Sequence, residues 1–274
     1  MTDRENTAPA GGHDDRAYWN DLAARYEAMV APFTGHFARA AMAGVAIGPG
    51  TRLLDVAAGT GALSLWAADR GALVTAIDFA PAMVARVAAH QHPRVTALAM
   101  DGQALTLPDA AFDIVASVFG VMLFPDWRAG LAEMARVCRP GGTAIVAVWS
   151  DPEGAAIFEL LADVRGMLFP GAPRPAPPPG MLALSSADGL AVGLVAAGFT
   201  APVVKSETHD FQLELRLLDD PDKAFAAMPL WVDLDSTQRL QVHAEIARRV
   251  ASAGAIDRFP ITSTALIATA TLPA

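Results

Sequence analysis

The sequence has 274 residues, of which 53% are hydrophobic and 18% are charged. This composition suits a globular chain with one large domain, or a core domain with a smaller cap, and it excludes a chain that is disordered throughout. The 20 basic and 29 acidic residues give a formal net charge of -9. Because proteins that bind nucleic acids present a basic surface to the phosphates, we expect no nucleic-acid partner.

Targeting, membrane and metal-binding patterns are not found in the sequence. Residues 1–15 are polar and contain no apolar run, so no signal peptide is expected. The longest uncharged stretches, such as 189–204, contain Gly and Pro and are shorter than the roughly 20 apolar residues of a membrane helix. Cys138 is the single cysteine, and the histidines form no HExxH pattern, so we expect neither a disulfide nor a metal site. These features predict a cytoplasmic protein.

The first fifty residues combine a polar tail with a helical region. Residues 1–15 are expected to be a flexible tail, because they contain Pro9 and a pair of glycines. From 16 to about 46, apolar residues recur at helical spacing, and Pro32 divides this stretch into two predicted helices. We therefore predict an N-terminal helical cap over residues 16–50.

From residue 51 onward, short apolar runs alternate with helical stretches. The predicted helices are 61–70, 81–90 and 128–137, and the predicted strands are 52–56, 73–77, 95–100, 112–119 and 143–149. Near-continuous apolar strands separated by helices indicate a parallel sheet with helices on both faces. Residues 51–150 are therefore predicted to form a doubly wound α/β core. Arg139–Gly142 is expected to stop the preceding helix at Pro140 and to turn into the last of these strands.

Beyond residue 150 the alternation weakens. Helices are predicted at 157–168, 190–197 and 237–251, and strands at 203–217, with a break near His209-Asp210, and at 261–272. The proline-rich run Arg174–Gly180 is predicted to be a stiff, non-helical connection. We expect residues 151–274 to form an inserted cap and then the C-terminal strands that complete the sheet.

The strongest functional pattern is Leu53–Gly61, a strand that runs into a glycine turn and then into a helix. Gly59 and Gly61 have no Cβ, so backbone and ligand can approach closely, and the first turn of the helix offers free N–H groups. Asp78 ends the next strand, where a carboxylate can accept both hydroxyls of a ribose. The order strand, Gly-x-Gly turn, helix, strand and aspartate predicts a ligand that contains a ribose.

The same order occurs in dinucleotide-binding domains, and two residues help to separate the alternatives. The dinucleotide pattern has Gly or Ala where this sequence has Ser64. Asp55 ends the first strand, where a carboxylate opposes a pyrophosphate but attracts a cofactor with an ammonium and a sulfonium. A nicotinamide-dependent oxidoreductase is further disfavoured because the chain has no Tyr-x-x-x-Lys pair.

Asp55–Gly61 resembles motif I of the class I methyltransferases that depend on S-adenosylmethionine (SAM), and most of all their UbiE-like group. Further blocks agree in order and spacing: Ile77–Met83, Asp101–Pro108, Phe112–Val115 and Arg139–Gly142. Ala57 stands where many members have a glycine, a variation that is familiar in the UbiE-like group. The resemblance implies SAM as the cofactor. It also implies a Rossmann-like, seven-stranded sheet with N-terminal helices and an inserted cap after the fifth strand.

The resemblance also implies roles for single residues. The backbone of Ala57–Gly61 would hold the methionine part of SAM with Asp55 near its ammonium, Asp78 would bind the ribose, and Asp101 would accept a hydrogen bond from the adenine. The implied cofactor-binding residues are Asp55, Ala57, Gly59, Gly61, Asp78, Phe79, Met83, Asp101, Gly102, Gln103, Ser117 and Phe119.

In this family the acceptor pocket is built by the N-terminal helices and by the segment after the fifth strand. The candidates suit a small, flat or hydrophobic acceptor, and they are Trp19, Tyr26, Phe33, Phe124, Trp127, Met167, Phe169, Met181, Phe211, Met228 and Trp231. Transfer to O, N or C needs a general base only where the acceptor must lose a proton, and it needs no metal. The candidate catalytic residues are His36, His209 and Tyr26.

The sequence bears on three alternatives to a small-molecule methyltransferase: an oxidoreductase, a SAM-binding module without activity, and an RNA methyltransferase. An oxidoreductase that uses NAD(P) is disfavoured by Asp55 and Ser64, whereas a module that binds SAM without transferring a methyl group is left open, because no base is obvious. An RNA methyltransferase is opposed by the acidic charge balance and by the lack of an Asn/Asp-Pro-Pro-Tyr motif after the fourth strand. The number of subunits is not determined, and a homodimer is left open.

Overall fold

The computed structural model describes residues 15–151, 157–172, 176–225 and 228–274. The predicted flexible tail, apart from Asp15, lies outside the described residues, and so do Arg174 and Pro175 of the proline-rich run. No helix in the described ranges combines the length and the apolar character needed to cross a membrane.

Two helices, α1 (Arg16–Met29) and α2 (Ala31–Ala41), open the described chain. Asp15 caps α1, because its carboxylate accepts a hydrogen bond of 2.8 Å from the backbone N–H of Ala17. The two helices meet at Val30, one residue before the second begins, so the predicted division of this region is confirmed.

Within the described residues, seven strands form one sheet in the order β3-β2-β1-β4-β5-β7-β6. The strands are β1 (Arg52–Val56), β2 (Leu73–Asp78), β3 (Val95–Ala99), β4 (Phe112–Val118), β5 (Cys138–Trp149), β6 (Thr200–Glu214) and β7 (Arg258–Thr271). The first five are parallel to one another, whereas β7 is antiparallel to both of its neighbours. The strand order reverses between β1 and β4, and open α/β sheets bind ligands beside the carboxyl ends of such strands. The predicted fold class is confirmed.

Helices cover both faces of the sheet and continue into the cap. They are α3 (Ala62–Asp69), α4 (Pro81–Ala89), α5 (Trp127–Val137), α6 (Ile157–Leu168), α7 (Pro179–Leu184), α8 (Ala187–Ala196), α9 (Pro221–Ala224), α10 (Pro229–Val232) and α11 (Ser236–Ser252). Consecutive strand residues belong to different buried clusters: Leu53 packs in one and Leu54 in the other. This follows from the alternation of side chains along a strand and gives the sheet an apolar layer on each face.

The β6–β7 ribbon extends past the carboxyl end of β5. β5 ends at Trp149, which pairs with Ala265, whereas β6 continues along β7 until Glu214 pairs with Arg258. The helices near this extension bury a separate set of apolar residues, which we call the cap cluster: Leu161, Val164, Leu218, Phe225, Met228, Trp231, Leu234, Val242, Ile246 and Val250.

Two local predictions in the C-terminal half are wrong. β6 runs through His209-Asp210 without a break, because Asp210 pairs with Thr262 and accepts a hydrogen bond of 2.6 Å from the Thr262 hydroxyl. The proline-rich run is not wholly extended either, since α7 begins at Pro179. Proline is tolerated at the first position of a helix, where its missing N–H would have no helical partner.

The turn expected at Arg139–Gly142 is instead part of β5. The helix before it ends at Val137, as expected, but the strand begins directly at Cys138. Gly141 has a φ of 70° and its N–H donates to Leu272 O at 2.9 Å, so the chain stays attached to the sheet through this irregular part.

Candidate active site

The turn between β1 and α3 has a left-handed backbone at three positions. Ala57, Gly59 and Gly61 have φ values of 58°, 55° and 89°. Left-handed backbone disfavours residues with a Cβ, so Ala57 is strained, and such strain is typical of functional sites. A Cβ added to Gly61 would lie 3.1 Å from a Val87 methyl carbon, so this glycine permits close packing of α3 on α4.

Asp78, at the end of β2, is held by this turn. Its Oδ2 accepts a hydrogen bond of 2.9 Å from Gly59 N, and its Oδ1 accepts one of 2.9 Å from Ala80 N. Burial raises the pKa of Asp78, and the two backbone donors oppose that shift. Each carboxylate oxygen keeps accepting capacity, so the group can still bind two hydroxyls.

Asp55, at the end of β1, is almost fully buried beside Ser64. The Ser64 hydroxyl donates to Asp55 Oδ2 at 2.6 Å. Burial raises the pKa of Asp55 to about 6, the Ser64 hydrogen bond opposes this, and the nearby Asp78 adds to it. A cation bound beside Asp55 would favour the ionised carboxylate.

A cavity of about 570 Å³ lies between α1, the glycine turn and the carboxyl ends of β2 and β4. This volume lies in the range of about 300–1,000 Å³ that is typical of ligand sites. Its lining consists of Arg16, Trp19, Tyr26, Ala57, Gly59, Asp78, Phe79, Met83, Met100, Asp101, Gly102, Gln103, Val118, Phe119, Gly120, Leu123, Phe124 and Pro125. All the predicted cofactor-binding residues line it except Asp55, Gly61 and Ser117.

These three residues have other positions. Asp55 faces a smaller cavity of about 20 Å³, which Tyr26 and Ala57 also line. Gly61 is the N-cap of α3. The Ser117 hydroxyl donates to Val56 O and accepts from Val121 N, both at 3.0 Å, so it ties β4 to β1. Contact of any of them with a cofactor stays a prediction.

Sequence reasoning missed part of the cavity wall. A Cβ on Gly120 would lie 2.4 Å from Ala57 Cβ, so the ends of β1 and β4 meet there without room for a side chain. The turn after Gly120 has no periodicity that could have revealed it. In contrast, Arg16, Trp19 and Tyr26 have helical spacing and line the cavity together, and that signal was readable in α1.

Tyr26 lies on the glycine-turn side of the cavity. A Cβ on Gly59 would lie 3.4 Å from its ring. Burial raises the pKa of Tyr26 to about 12, a hydrogen bond with Thr34 opposes the shift, and the charges of Asp78 and Asp55 add to it. The phenol therefore stays neutral near pH 7 and can donate a hydrogen bond, and its catalytic role stays a prediction.

His36 and His209 are brought together by the tertiary structure. Their rings stack with centroids 3.7 Å apart and planes 17° from parallel. Neither lines the large cavity. Between them and it lies a set of packed rings that we call the aromatic layer: Phe33, Phe37, Phe119, Trp149 and Phe211. The catalytic role of His36 and His209 also stays a prediction.

The acceptor-pocket candidates are found in several places. Trp19, Tyr26 and Phe124 line the cavity, and Phe33 and Phe211 belong to the aromatic layer. Two further candidates, Trp127 and Met181, pack in the core of the sheet. Met228 and Trp231 belong to the cap cluster, and Phe169 packs against it. Met167 is half-exposed.

The residues present fit SAM on three counts. The carboxylate of Asp78 stands at the cavity wall, where it can meet a ribose. Asp55 supplies negative charge beside the glycine turn, and apolar side chains such as Phe79 and Met83 offer a surface for a flat base. Asp101 caps the next turn, since its Oδ1 accepts from Gln103 N at 2.9 Å, and it also lines the cavity.

Comparisons with known proteins agree with this geometry. Residues 54–146 match a family model described as a methyltransferase domain. The chain is 42% identical over 152 residues to an uncharacterised protein of Mycobacterium tuberculosis, covering 54% of this chain and 53% of that protein. It is 37% identical over 153 residues to the demethylmenaquinone methyltransferase of Beutenbergia cavernae, covering 54% of this chain and 63% of the relative. The chain thus spans about half to three fifths of the length of these relatives.

Structural similarity extends further along the chain. Phosphoethanolamine N-methyltransferase 2 of Haemonchus contortus, solved with S-adenosyl-L-methionine, has a TM-score of 0.53 at 15% identity, and the match covers 87% of this chain and 53% of that chain. At this identity the similarity concerns the fold alone. Residues 54–146 are thus similar to a methyltransferase domain, and the chain shares its fold with a methyltransferase solved with S-adenosyl-L-methionine.

Proposed function

We propose that this protein transfers the methyl group of SAM to O, N or C of a small, apolar or aromatic molecule. The observation that carries the proposal is Asp78, whose carboxylate is held at the wall of the large cavity by the N–H groups of Gly59 and Ala80. The domain match at residues 54–146 supports the same activity.

SAM supplies a methyl group bound to a sulfonium sulfur. When the methyl group is transferred, the rest of SAM leaves readily as a neutral thioether. The chain has to bind, orient and desolvate the reactants, and positioning of this kind can lower a barrier by about 7–11 kcal/mol. Asp78 binds the ribose, Asp55 attracts the ammonium, and Phe79 and Met83 pack against the adenine. Tyr26, beside Gly59, shields the methionine end from water.

The acceptor is proposed to be small and apolar because aromatic and aliphatic side chains form the cavity surface near the end of β4. Phe119 and Phe124 line the cavity there, and the aromatic layer continues from Phe119 toward the cap. The relatives named demethylmenaquinone methyltransferases match 54% of this chain or less, so we do not assign their substrate to this chain.

The direct test is a calorimetric titration of the purified chain with S-adenosylhomocysteine (SAH), with NADH in parallel. We expect a micromolar Kd for SAH and no heat from NADH. Asp78→Ala should weaken SAH about tenfold to a hundredfold, because hydrogen bonds to a charged group contribute roughly 1.5–3 kcal/mol. The matched control is Asp188→Ala, at an exposed carboxylate in the first turn of α8.

Two outcomes would contradict the proposal. Binding of NADH in place of SAH would make the glycine turn a dinucleotide site. Equal SAH affinity in Asp78→Ala and the unmodified chain would remove the ribose contact on which the proposal depends.

A further inference from the structure

Four polar residues form a cluster beyond the aromatic layer, and we call it the histidine cluster: His36, Glu207, His209 and Ser263. His36 on α2 stacks on His209 on β6. Glu207 lies two residues before His209, on the same side of the strand, and its Oε1 is 3.2 Å from His36 Nε2. The cluster therefore joins the N-terminal helices to the ribbon that enters the cap.

The contact with Glu207 determines how the His36 ring can act. A carboxylate accepts hydrogen bonds, so Nε2 of neutral His36 is assigned the proton and donates it to Glu207. Nδ1 is then the free base of the ring, and among the described residues it has no hydrogen-bond partner. This is how a carboxylate orients the imidazole in enzymes that use histidine as a base.

Ser263 adds an independent observation. It pairs with His209 across β6 and β7, so both side chains are on the same face of the ribbon. Its side chain is buried, with 3% of the residue exposed, and its hydroxyl has no partner within the described parts of the chain. A buried polar group without a partner costs about 1–3 kcal/mol, so a ligand that satisfies it gains specificity.

Packed rings connect this cluster to the methyl-donor cavity. The Phe211 ring centroid is 4.4 Å from His209 and 4.0 Å from Phe33. Phe33 is 5.3 Å from Trp149, which stacks at 3.6 Å on Phe119 in the cavity wall. Phe33 and Phe211 are only half-buried, so solvent reaches this part of the aromatic layer.

We propose that the histidine cluster binds a hydroxyl of a planar aromatic acceptor and that this hydroxyl donates a hydrogen bond to Nδ1 of His36, whose ring Glu207 orients. The inference rests on the proposed function and narrows its acceptor to hydroxylated aromatic molecules. The hydroxyl is recognised beyond the aromatic layer, away from the methyl-donor cavity.

The test compares 2-naphthol with 2-methoxynaphthalene, in which the hydroxyl is blocked, as ligands of the full chain saturated with SAH. Calorimetry should show 2-naphthol binding about tenfold more tightly, because only its hydroxyl donates a hydrogen bond and satisfies the polar groups of the cluster. His36→Phe and His209→Phe keep a ring for stacking but remove the nitrogens, and each should reduce the preference to less than about threefold. Ser263→Ala should reduce it in the same direction.

SAH affinity is measured on every variant and should stay within about twofold of the unmodified chain, because none of these residues lines the cavity. His90→Phe, at the end of α4 on another surface, is the matched control and should keep the full preference. Failure of SAH to bind the unmodified chain would contradict the proposed function and this inference with it. Normal SAH binding without a preference for 2-naphthol, or an undiminished preference in the two histidine variants, would overturn the inference alone.

Discussion

Two buried carboxylates dominate the electrostatics of the site at the scale of single residues. Asp55 and Asp78 lie on neighbouring strands, and burial raises the pKa of both. Both carboxylates lie beside the glycine turn, so this part of the site favours a cationic ligand over an anionic one. This agrees with SAM and disfavours a pyrophosphate.

The raised pKa of Asp55 leads to a prediction on pH. Its value of about 6 lies above the ordinary value of 3.8. An ammonium favours the ionised carboxylate, so affinity for SAH is complete above the raised pKa and is lost as the pH falls through it. Calorimetry from about pH 7.5 to about pH 5 should show a decrease of up to about tenfold.

The control for this prediction is Asp55→Asn, which keeps an acceptor for Ser64 but has no titratable group. Its affinity should be lower at the upper pH and vary less with pH. A decline as steep as that of the unmodified chain would show that Asp55 is not the titrating group.

At the scale of elements, the placement of α1 on α4 forms the outer wall of the cavity. The N-cap of α4, Ala80, has no side-chain hydrogen bond to offer, and Asn20 of α1 supplies one: its Oδ1 accepts from Ala82 N at 2.9 Å. Glu27 adds a contact of 3.3 Å to Arg86. Asn20 thus caps α4, and the same hydrogen bond holds α1 at the cavity.

Asn20→Ala removes this shared cap. We expect a loss of about 1 kcal/mol in the free energy of unfolding, as for other caps, measured by chemical denaturation. SAH should bind severalfold more weakly, because Trp19 and Tyr26 are in the same helix and line the cavity. Asp21→Ala changes a neighbouring exposed residue and should alter neither quantity. Normal SAH affinity in Asn20→Ala would show that α1 does not need this contact to close the cavity.

At the scale of the whole molecule, the chain has separate apolar cores for the sheet and for the cap. The cap cluster contains no residue that lines the large cavity. Trp231 is its largest fully buried side chain, with 1% exposed. Stability of the cap and binding of the cofactor should therefore respond to different substitutions.

Trp231→Ala tests this separation. Removal of a buried Trp costs roughly 3–5 kcal/mol, so thermal unfolding should begin at a lower temperature. Below that temperature, SAH affinity should equal that of the unmodified chain. Leu240→Ala, at an exposed position of α11, should change neither property. Loss of SAH binding in a folded Trp231→Ala protein would show that cap and cavity are coupled.

The sequence by itself determined the core fold and indicated most of the residues that line the large cavity. Its signals are local: near-continuous apolar strands, a Gly-x-Gly turn, and an aspartate at the end of the next strand. Each depends on residues close together in the chain, and the parallel topology then brings the strand ends to one edge. For this reason Gly59 and Asp78 come together at that edge, where Gly59 N donates a hydrogen bond to Asp78 Oδ2.

Only the tertiary structure decided the remaining features. The stacking of His36 on His209, the buried hydroxyl of Ser263 opposite His209, and the continuity of β6 depend on the register between distant segments. Pairing along a ribbon stabilises a strand through its partner, so a short polar stretch such as His209-Asp210 does not interrupt it. The residues next to a position in the chain do not indicate which distant residue it will contact. Such contacts are established only when the segments pack together.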